Sequence, residues 1–255
     1  MATILNFTST IHDPEARLKY LIDEVGDQLA ELFHSSHVAY TPKTHAQIIE
    51  SLNEQGFTTI KAEDAIINTY QTALKQALNK HNERMFYCDF DRALHWIKTY
   101  PIELQKIAAT NPTNDFTLFG RTPRAFMTQP ETQTITEGIG NIVASNCLEF
   151  ESTLDILGTT WILTPELAMR IIDRQYTNTF GFYIEWPTIL WRSASYPLYV
   201  ECEGLEWETP DRYREEIKAI GYGNWLTNFQ THQECKKRTE MLKEFIESSH
   251  KLSHD

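Results

Sequence analysis

Cysteine is scarce and dispersed in this chain of 255 residues: Cys88, Cys147, Cys202 and Cys235 form no CxxC pair and no Cys/His cluster. That spacing argues against a zinc site and supplies no disulfide framework. Positive charge is in deficit, with 23 Lys and Arg against 35 Asp and Glu and a net charge of −12. A surface that tracks phosphates is normally basic, so neither nucleic acid nor an anionic membrane is an expected general partner. No apolar run approaches the ~20 residues of a membrane span. The start, MATILNFTST, lacks the basic residues and the long apolar stretch of a signal peptide. Repeats, low-complexity tracts and an obvious interdomain linker are also missing. A reduced, cytoplasmic protein is the expectation.

What is present suffices for a sizeable core: 41% of residues are hydrophobic and 23% charged. The first ninety residues alternate short apolar runs with amphipathic stretches. TILNFTS (3–9), HVAYT (37–41), FTTI (57–60) and MFYC (85–88) read as strands. Between them, Leu18, Leu21, Ile22, Val25, Leu29 and Leu32, then Ile48, Ile49 and Leu52, then Ile66, Tyr70, Ala73, Leu74, Ala77 and Leu78 recur at helical spacing. This β-α-β-α-β-α-β order predicts an α/β fold, a Rossmann-like mostly parallel sheet with helices on both faces. Beyond Asp91 the pattern loosens. A helix restarts near Pro101, DFTLFG (115–120) is a strand, RTPRAFMTQPETQ a loop, and ITEGIGNIVASNCLEF a helix despite Gly138 and Gly140. TNTFGFYIEWPTILWR reads as irregular until Pro187, PLYVECEGLEWET as a last strand and loop, and the tail from Thr231 as a charged helix. The expected organisation is one domain over 1–230 and a C-terminal helical appendage over 231–255.

The most informative stretch is MFYCDFDRALHW, in which an apolar run stops at Asp89-Phe90-Asp91. Alternation at a strand end points the two carboxylates to one side and Phe90 to the core. Converging carboxylates repel unless a proton or a cation intervenes. Mg²⁺ and Mn²⁺ favour such hard oxygen ligands and keep positions open for substrate phosphate. The alternative is that either aspartate merely caps the helix that follows.

Strand-Asp-x-Asp after a Rossmann-like half resembles the GT-A glycosyltransferases, the nucleotide-diphospho-sugar transferase superfamily. YCDFDRALHWIKTYPIEL, FGRTPRAFMTQPETQTITEGIGN and EWP resemble segments of a little-characterised bacterial branch of it, over about Thr3 to Trp207. The resemblance implies a GT-A-like fold and transfer of a sugar from a nucleotide-diphosphate donor to a small or lipid-linked hydroxyl acceptor. It also implies a divalent ion, Mn²⁺ or Mg²⁺, at Asp89 and Asp91. One departure stands out: many members carry glycine and arginine at the start of the helix before the metal strand, whereas AEDAIINTYQTALKQ has Glu63 and Asp64 and no arginine. A non-catalytic binding protein that kept the fold and lost donor chemistry is therefore the competing expectation. A haloacid-dehalogenase-type phosphatase fits less well, because its Asp-x-Asp follows the first strand.

Other candidates surround this motif. Arg121 and Arg124 stand out in an acidic chain, and guanidinium forks suit phosphate or carboxylate, though both also suit surface ion pairs. Glu137 and Asn141, four apart on one helix face, are either a solvent-facing or capping pair or, as the resemblance implies, part of a TE-x-x-x-N pattern that recurs beside the site in that family. Glu185, in GFYIEWP, has apolar neighbours that favour a raised pKa; in inverting family members a carboxylate near this point deprotonates the acceptor. The alternative is an idle helix N-terminal glutamate. His12, after the first strand, is placed for a nucleotide base or ribose, or is a satisfied loop histidine. Asp155 faces the sugar or caps a turn.

Overall fold

The computed structural model describes residues 5–64, 66–78, 84–110, 112–172 and 179–252. Seven strands are formed by these residues: β1 Leu5–Ile11, β2 Ser35–Tyr40, β3 Thr58–Lys61, β4 Arg84–Cys88, β5 Phe116–Arg121, β6 Thr160–Leu163 and β7 Pro197–Cys202. They make one sheet in the order β3-β2-β1-β4-β6-β5-β7. The pairings are parallel except that β6 runs antiparallel between β4 and β5. The class is α/β with a mostly parallel sheet, as the alternating pattern predicts.

The helices over the first half are α1 Lys19–Glu31, α2 Ala46–Glu54, α3 Ile66–Leu78, α4 Phe90–Thr99 and α5 Pro101–Ala108. The short α6 Pro123–Phe126, α7 Glu131–Cys147, α8 Pro165–Ile172 and α9 Phe182–Ser193 follow. Last come α10 Thr209–Arg212, α11 Arg214–Ile220, α12 Tyr222–Leu226 and α13 His232–Leu252. Strand β4 shows why its run is apolar throughout: Phe86 and Cys88 pack into one core, Met85 and Tyr87 into the other. A strand buried on both faces has no polar positions to alternate with. The first core holds Leu21, Leu29 and Leu52 with the stacked pair Phe33 and Phe86. The second holds Leu74, Trp161, Leu167, Trp186 and Phe245.

Two stretches depart from the sequence expectation. Residues after Pro123 are not all loop: Thr122 accepts a hydrogen bond from the Ala125 amide at 3.1 Å, and the Thr-Pro pair starts one helical turn. The aromatic stretch before Pro187 is not irregular either, since α9 runs from Phe182 through Pro187 to Ser193. Proline removes the bond to the preceding turn, but Phe182, Ile184, Trp186, Ile189 and Leu190 are all buried. Packing overrides the local preference there. The final helix, α13, lies along α7 and α9 and buries Phe245, Ser248, Ser249 and Leu252. Gly140 of α7 permits that approach, because a Cβ there would stand 3.1 Å from the Phe245 ring.

Candidate active site

Strand order reverses direction at the β1–β4 pair, the topological switch point at which open α/β sheets bind ligands beyond their carboxyl ends. The segments leaving that edge bring in His12 after β1, Thr41 after β2 and Asp89 after β4. Asp89 occupies the N-cap position of α4 with φ −58° and ψ 138°, yet its side chain makes no capping bond. Phe90 turns into the first core, fully buried. Asp89 and Asp91 both line a cavity of about 230 Å³ with Thr10, His12, Thr41 and Arg212. Phe90 is in the core as the sequence leads one to expect, but β4 ends at Cys88 and Asp91 belongs to the first turn of α4, so the helix and not strand alternation sets its direction.

The two carboxylates have different surroundings. Asp89 Oδ1 accepts the Tyr70 hydroxyl at 3.0 Å and the Tyr87 hydroxyl at 2.9 Å. The Tyr183 hydroxyl is 2.9 Å from that of Tyr70, and Thr10 Oγ1 is 3.1 Å from that of Tyr87. With both tyrosine protons committed to Asp89, Tyr183 and Thr10 donate in turn, and the chain of donors converges on one oxygen. Burial pushes the Asp89 carboxyl up to about 6, and Arg92 pulls against that rise. Among the described residues, none donates to Asp89 Oδ2.

Asp91 is charge-paired. Its Oδ2 lies 2.9 Å from Arg212 Nε, and its Oδ1 accepts the Arg92 amide at 3.0 Å. Burial works to raise its pKa, but the Arg212 and Arg92 guanidiniums hold it below the ordinary carboxylate value. Arg212 also donates from Nη1 to the His12 carbonyl at 3.0 Å. Arg92 is buried, donates to the Gly158 carbonyl, and has Nε 3.5 Å from Glu208. The His12 imidazole is 2.7 Å from Thr41 Oγ1, and burial together with the charges of Arg212 and Lys43 lowers its pKa. It therefore faces the cavity as a neutral ring at pH 7.

A second cavity, of about 160 Å³, adjoins the first and shares Asp89 and Tyr183 with it. Gln133 and Glu137 of α7, Phe180, and Arg238 of α13 complete its polar and aromatic walls. The rings of Phe180 and Tyr183, near-parallel at 7° with centroids 6.2 Å apart, form part of its lining.

Four other sequence candidates meet in one buried network. Arg121 grips Asp155 through Nε to Oδ2 at 2.6 Å and Nη2 to Oδ1 at 2.8 Å, and its amide donates to Oδ2 at 2.8 Å. Asn141 donates to Asp155 Oδ1 at 2.7 Å and accepts the amides of Ile156 and Leu157. Glu137 Oε2 lies 2.7 Å from Arg121 Nη2. Burial opposes ionisation of Asp155, yet Arg121 holds its pKa below normal. The bidentate guanidinium is thus engaged within the protein, fixing the loop before β6. Of this group Glu137 reaches the second cavity, while Arg121, Asn141 and Asp155 line a separate one of about 190 Å³. Arg124 is away from all of these, on the surface, bonded to Glu206 at 2.6 Å and to the Tyr100 hydroxyl at 2.8 Å. Glu185 is buried in the first turn of α9 but lines neither cavity at Asp89; Tyr183, two residues earlier, lines both.

Sequence reading passed over Tyr70, Arg92, Tyr183, Arg212 and Arg238. Tyr70 comes from the stretch noted for lacking arginine, and it bonds Asp89. Arg212 lies 121 positions from Asp91, with no spacing to advertise the pair.

Among the described residues, no three or more His, Cys, Asp or Glu side chains are grouped to hold a metal ion. A magnesium- or manganese-type ion uses one or two carboxylates with substrate phosphates and water. Asp89 and Asp91 fit that pattern as hard oxygen donors on one cavity wall, with Arg212 as the present counter-ion of Asp91.

No protein-family model and no curated protein matches this sequence. Solved structures do resemble it. Glucosyl-3-phosphoglycerate synthase from Mycobacterium tuberculosis is 12% identical with a TM-score of 0.49, over 86% of this chain and 81% of that one. The same synthase in complex with Mn²⁺, uridine diphosphate and phosphoglyceric acid is 13% identical with a TM-score of 0.46, over 72% of this chain and 62% of that one. A further mycobacterial protein is 14% identical with a TM-score of 0.49, over 78% of this chain. This chain spans 66% and 62% of the lengths of the last-named protein and the Mn²⁺ complex, respectively.

Proposed function

We propose that this chain is a GT-A-type glycosyltransferase that moves a sugar from a nucleoside-diphosphate donor to a hydroxyl acceptor. One observation carries the reading: Asp89 and Asp91 leave the tip of β4 at the switch point and line the same cavity as His12, Thr41 and Arg212. The donor occupies this cavity, with its base or ribose towards His12 and its diphosphate towards Asp91 and Arg212. A divalent Mn²⁺ or Mg²⁺ ion held by Asp89 and Asp91 would neutralise charge on the departing diphosphate. The acceptor occupies the adjoining cavity, where Phe180 and Tyr183 offer aromatic surface and Gln133 and Glu137 offer hydrogen bonds. The size of that cavity favours a small-molecule acceptor over a lipid-linked one. Glu185 has no part in this reading. Asp155 and Arg121 shape the neighbouring loop rather than grip a ligand. No helix among the described residues is long and apolar enough to cross a membrane.

The test is turnover. With Mn²⁺ present, the protein is expected to release sugar or transfer it from a nucleotide sugar, and Asp91→Asn to slow this by about a hundredfold or more, the scale of losing one preorganised electrostatic partner. Unchanged turnover in the variant would end the proposed role of Asp91. A second reading, a binding protein without transfer activity, draws on the ion pair that already neutralises Asp91. Nucleotide binding with no sugar release from any donor would select it.

A further inference from the structure

Asp91 cannot serve a divalent ion and Arg212 in the same way at once. The guanidinium holds Oδ2 at 2.9 Å, and two cations on one carboxylate oxygen repel each other. The backbone that carries Arg212 is firmly fixed. The neighbouring Asp211 carboxylate is 2.7 Å from His95 Nδ1, and its carbonyl accepts the Tyr20 hydroxyl at 3.0 Å. Farther back, Glu206 is 3.3 Å from His95 Nε2, and the Gly204 amide donates to Glu103 at 2.8 Å. Movement at this point is therefore rotation of one side chain within the cavity. Arginine carries five N–H donors in a planar fork suited to phosphate, and here two contacts, Asp91 and the His12 carbonyl, account for its bonds among the described residues. The cavity that Arg212 lines is the one that takes the donor diphosphate in the proposed function, on which this inference rests.

We infer that Arg212 is an exchangeable counter-ion, which neutralises Asp91 before ligand arrives and transfers its guanidinium to the donor diphosphate when a divalent cation takes its place. The exchange couples the two ligands. Metal alone must displace Arg212 without compensation, whereas metal with nucleotide gives the guanidinium a new anionic partner. Each ligand therefore raises the affinity for the other by the same factor.

Arg212→Gln separates this role from a structural one because its two effects have opposite sign. Binding of Mn²⁺ alone, read from the paramagnetic resonance of free Mn²⁺, is expected to tighten by about tenfold, since Asp91 loses its competitor. Binding of uridine, guanosine or adenosine diphosphate at saturating Mn²⁺, read by calorimetry, is expected to weaken by about tenfold, the worth of one charge-assisted contact. Arg212→Lys should fall between, as a point charge without the fork. A misfolded variant does not gain Mn²⁺ affinity, so the first arm is protected against that explanation. Unchanged binding of both ligands, or weakening of both, overturns the exchange while leaving the proposed function standing. Failure of the wild-type protein to bind any of the nucleoside diphosphates overturns the function itself and the exchange with it.

Discussion

Asp89 is expected to destabilise the fold at neutral pH, and its replacement to stabilise it. The carboxyl titrates near 6 in the folded protein, raised from 3.8 chiefly by burial. The sign follows from proton uptake. Between the two values the folded chain holds a proton that the unfolded chain has released, so stability falls as pH rises through that window. Above about pH 6 the whole difference is lost. A shift of roughly two pH units corresponds to about 3 kcal/mol at 1.36 kcal/mol per unit. Asp89→Asn keeps an oxygen able to accept both the Tyr70 and Tyr87 hydroxyls and removes the buried charge. The variant should gain about 1 to 3 kcal/mol at pH 7.5, or on the order of 5 °C in Tm for a chain of this size. At pH 4, where the folded carboxyl is already protonated, the gain should shrink to a few tenths. Thermal melts of both proteins from pH 4 to 8 measure this. A variant less stable than wild type at pH 7.5, by an amount independent of pH, would refute the reasoning: Asp89 would then be an ionised group held by its partners. Functional sites commonly carry such a stability cost.

Breaking the Arg121–Asp155 pair should be far more harmful. Arg121→Ala leaves a buried carboxylate that also anchors the loop through Asn141, and is expected to cost about 3 to 5 kcal/mol in denaturant unfolding; a loss below 1 kcal/mol would show the network to be dispensable. His95 is a second pH-dependent fastening: as at Asp89, stability falls with rising pH, but in a higher window. Burial works to lower its pKa, but hydrogen bonds to Asp211 and Glu206 raise it above 6.5. Its contribution is full below 6.5 and is lost as pH rises through the higher folded value. His95→Gln should therefore flatten the fall in stability above pH 6.5; an unchanged slope would place that titration elsewhere.

The fold was legible because two periodicities alternate cleanly over the first ninety residues, and the apolar run of β4 admits no exposed face. The burial of Phe90 was legible from the apolar run it closes, but the direction of Asp91 was not, because it lies in the first turn of α4 and not in an extended strand end. The passage around Glu185 reads as irregular up to Pro187 because proline opposes a helix interior locally, and only tertiary burial of Phe182, Trp186 and Leu190 shows the helix. The polar candidates Arg121, Glu137, Asn141 and Asp155 stand out by type, but their mutual bonding depends on loop geometry that spacing does not encode. Arg212 was invisible for the same reason. It reaches Asp91 from a short helix near the other end of the chain, in a stretch of ordinary surface composition.

The central claim is that the hollow at the tip of β4 receives a nucleoside diphosphate. Titration calorimetry of the wild-type protein with uridine, guanosine and adenosine diphosphates, each with Mn²⁺, tests it most directly. The account predicts one-to-one binding of at least one of them, weakened or abolished in Asp91→Asn. No heat of binding with any, or undiminished affinity in the variant, would contradict it.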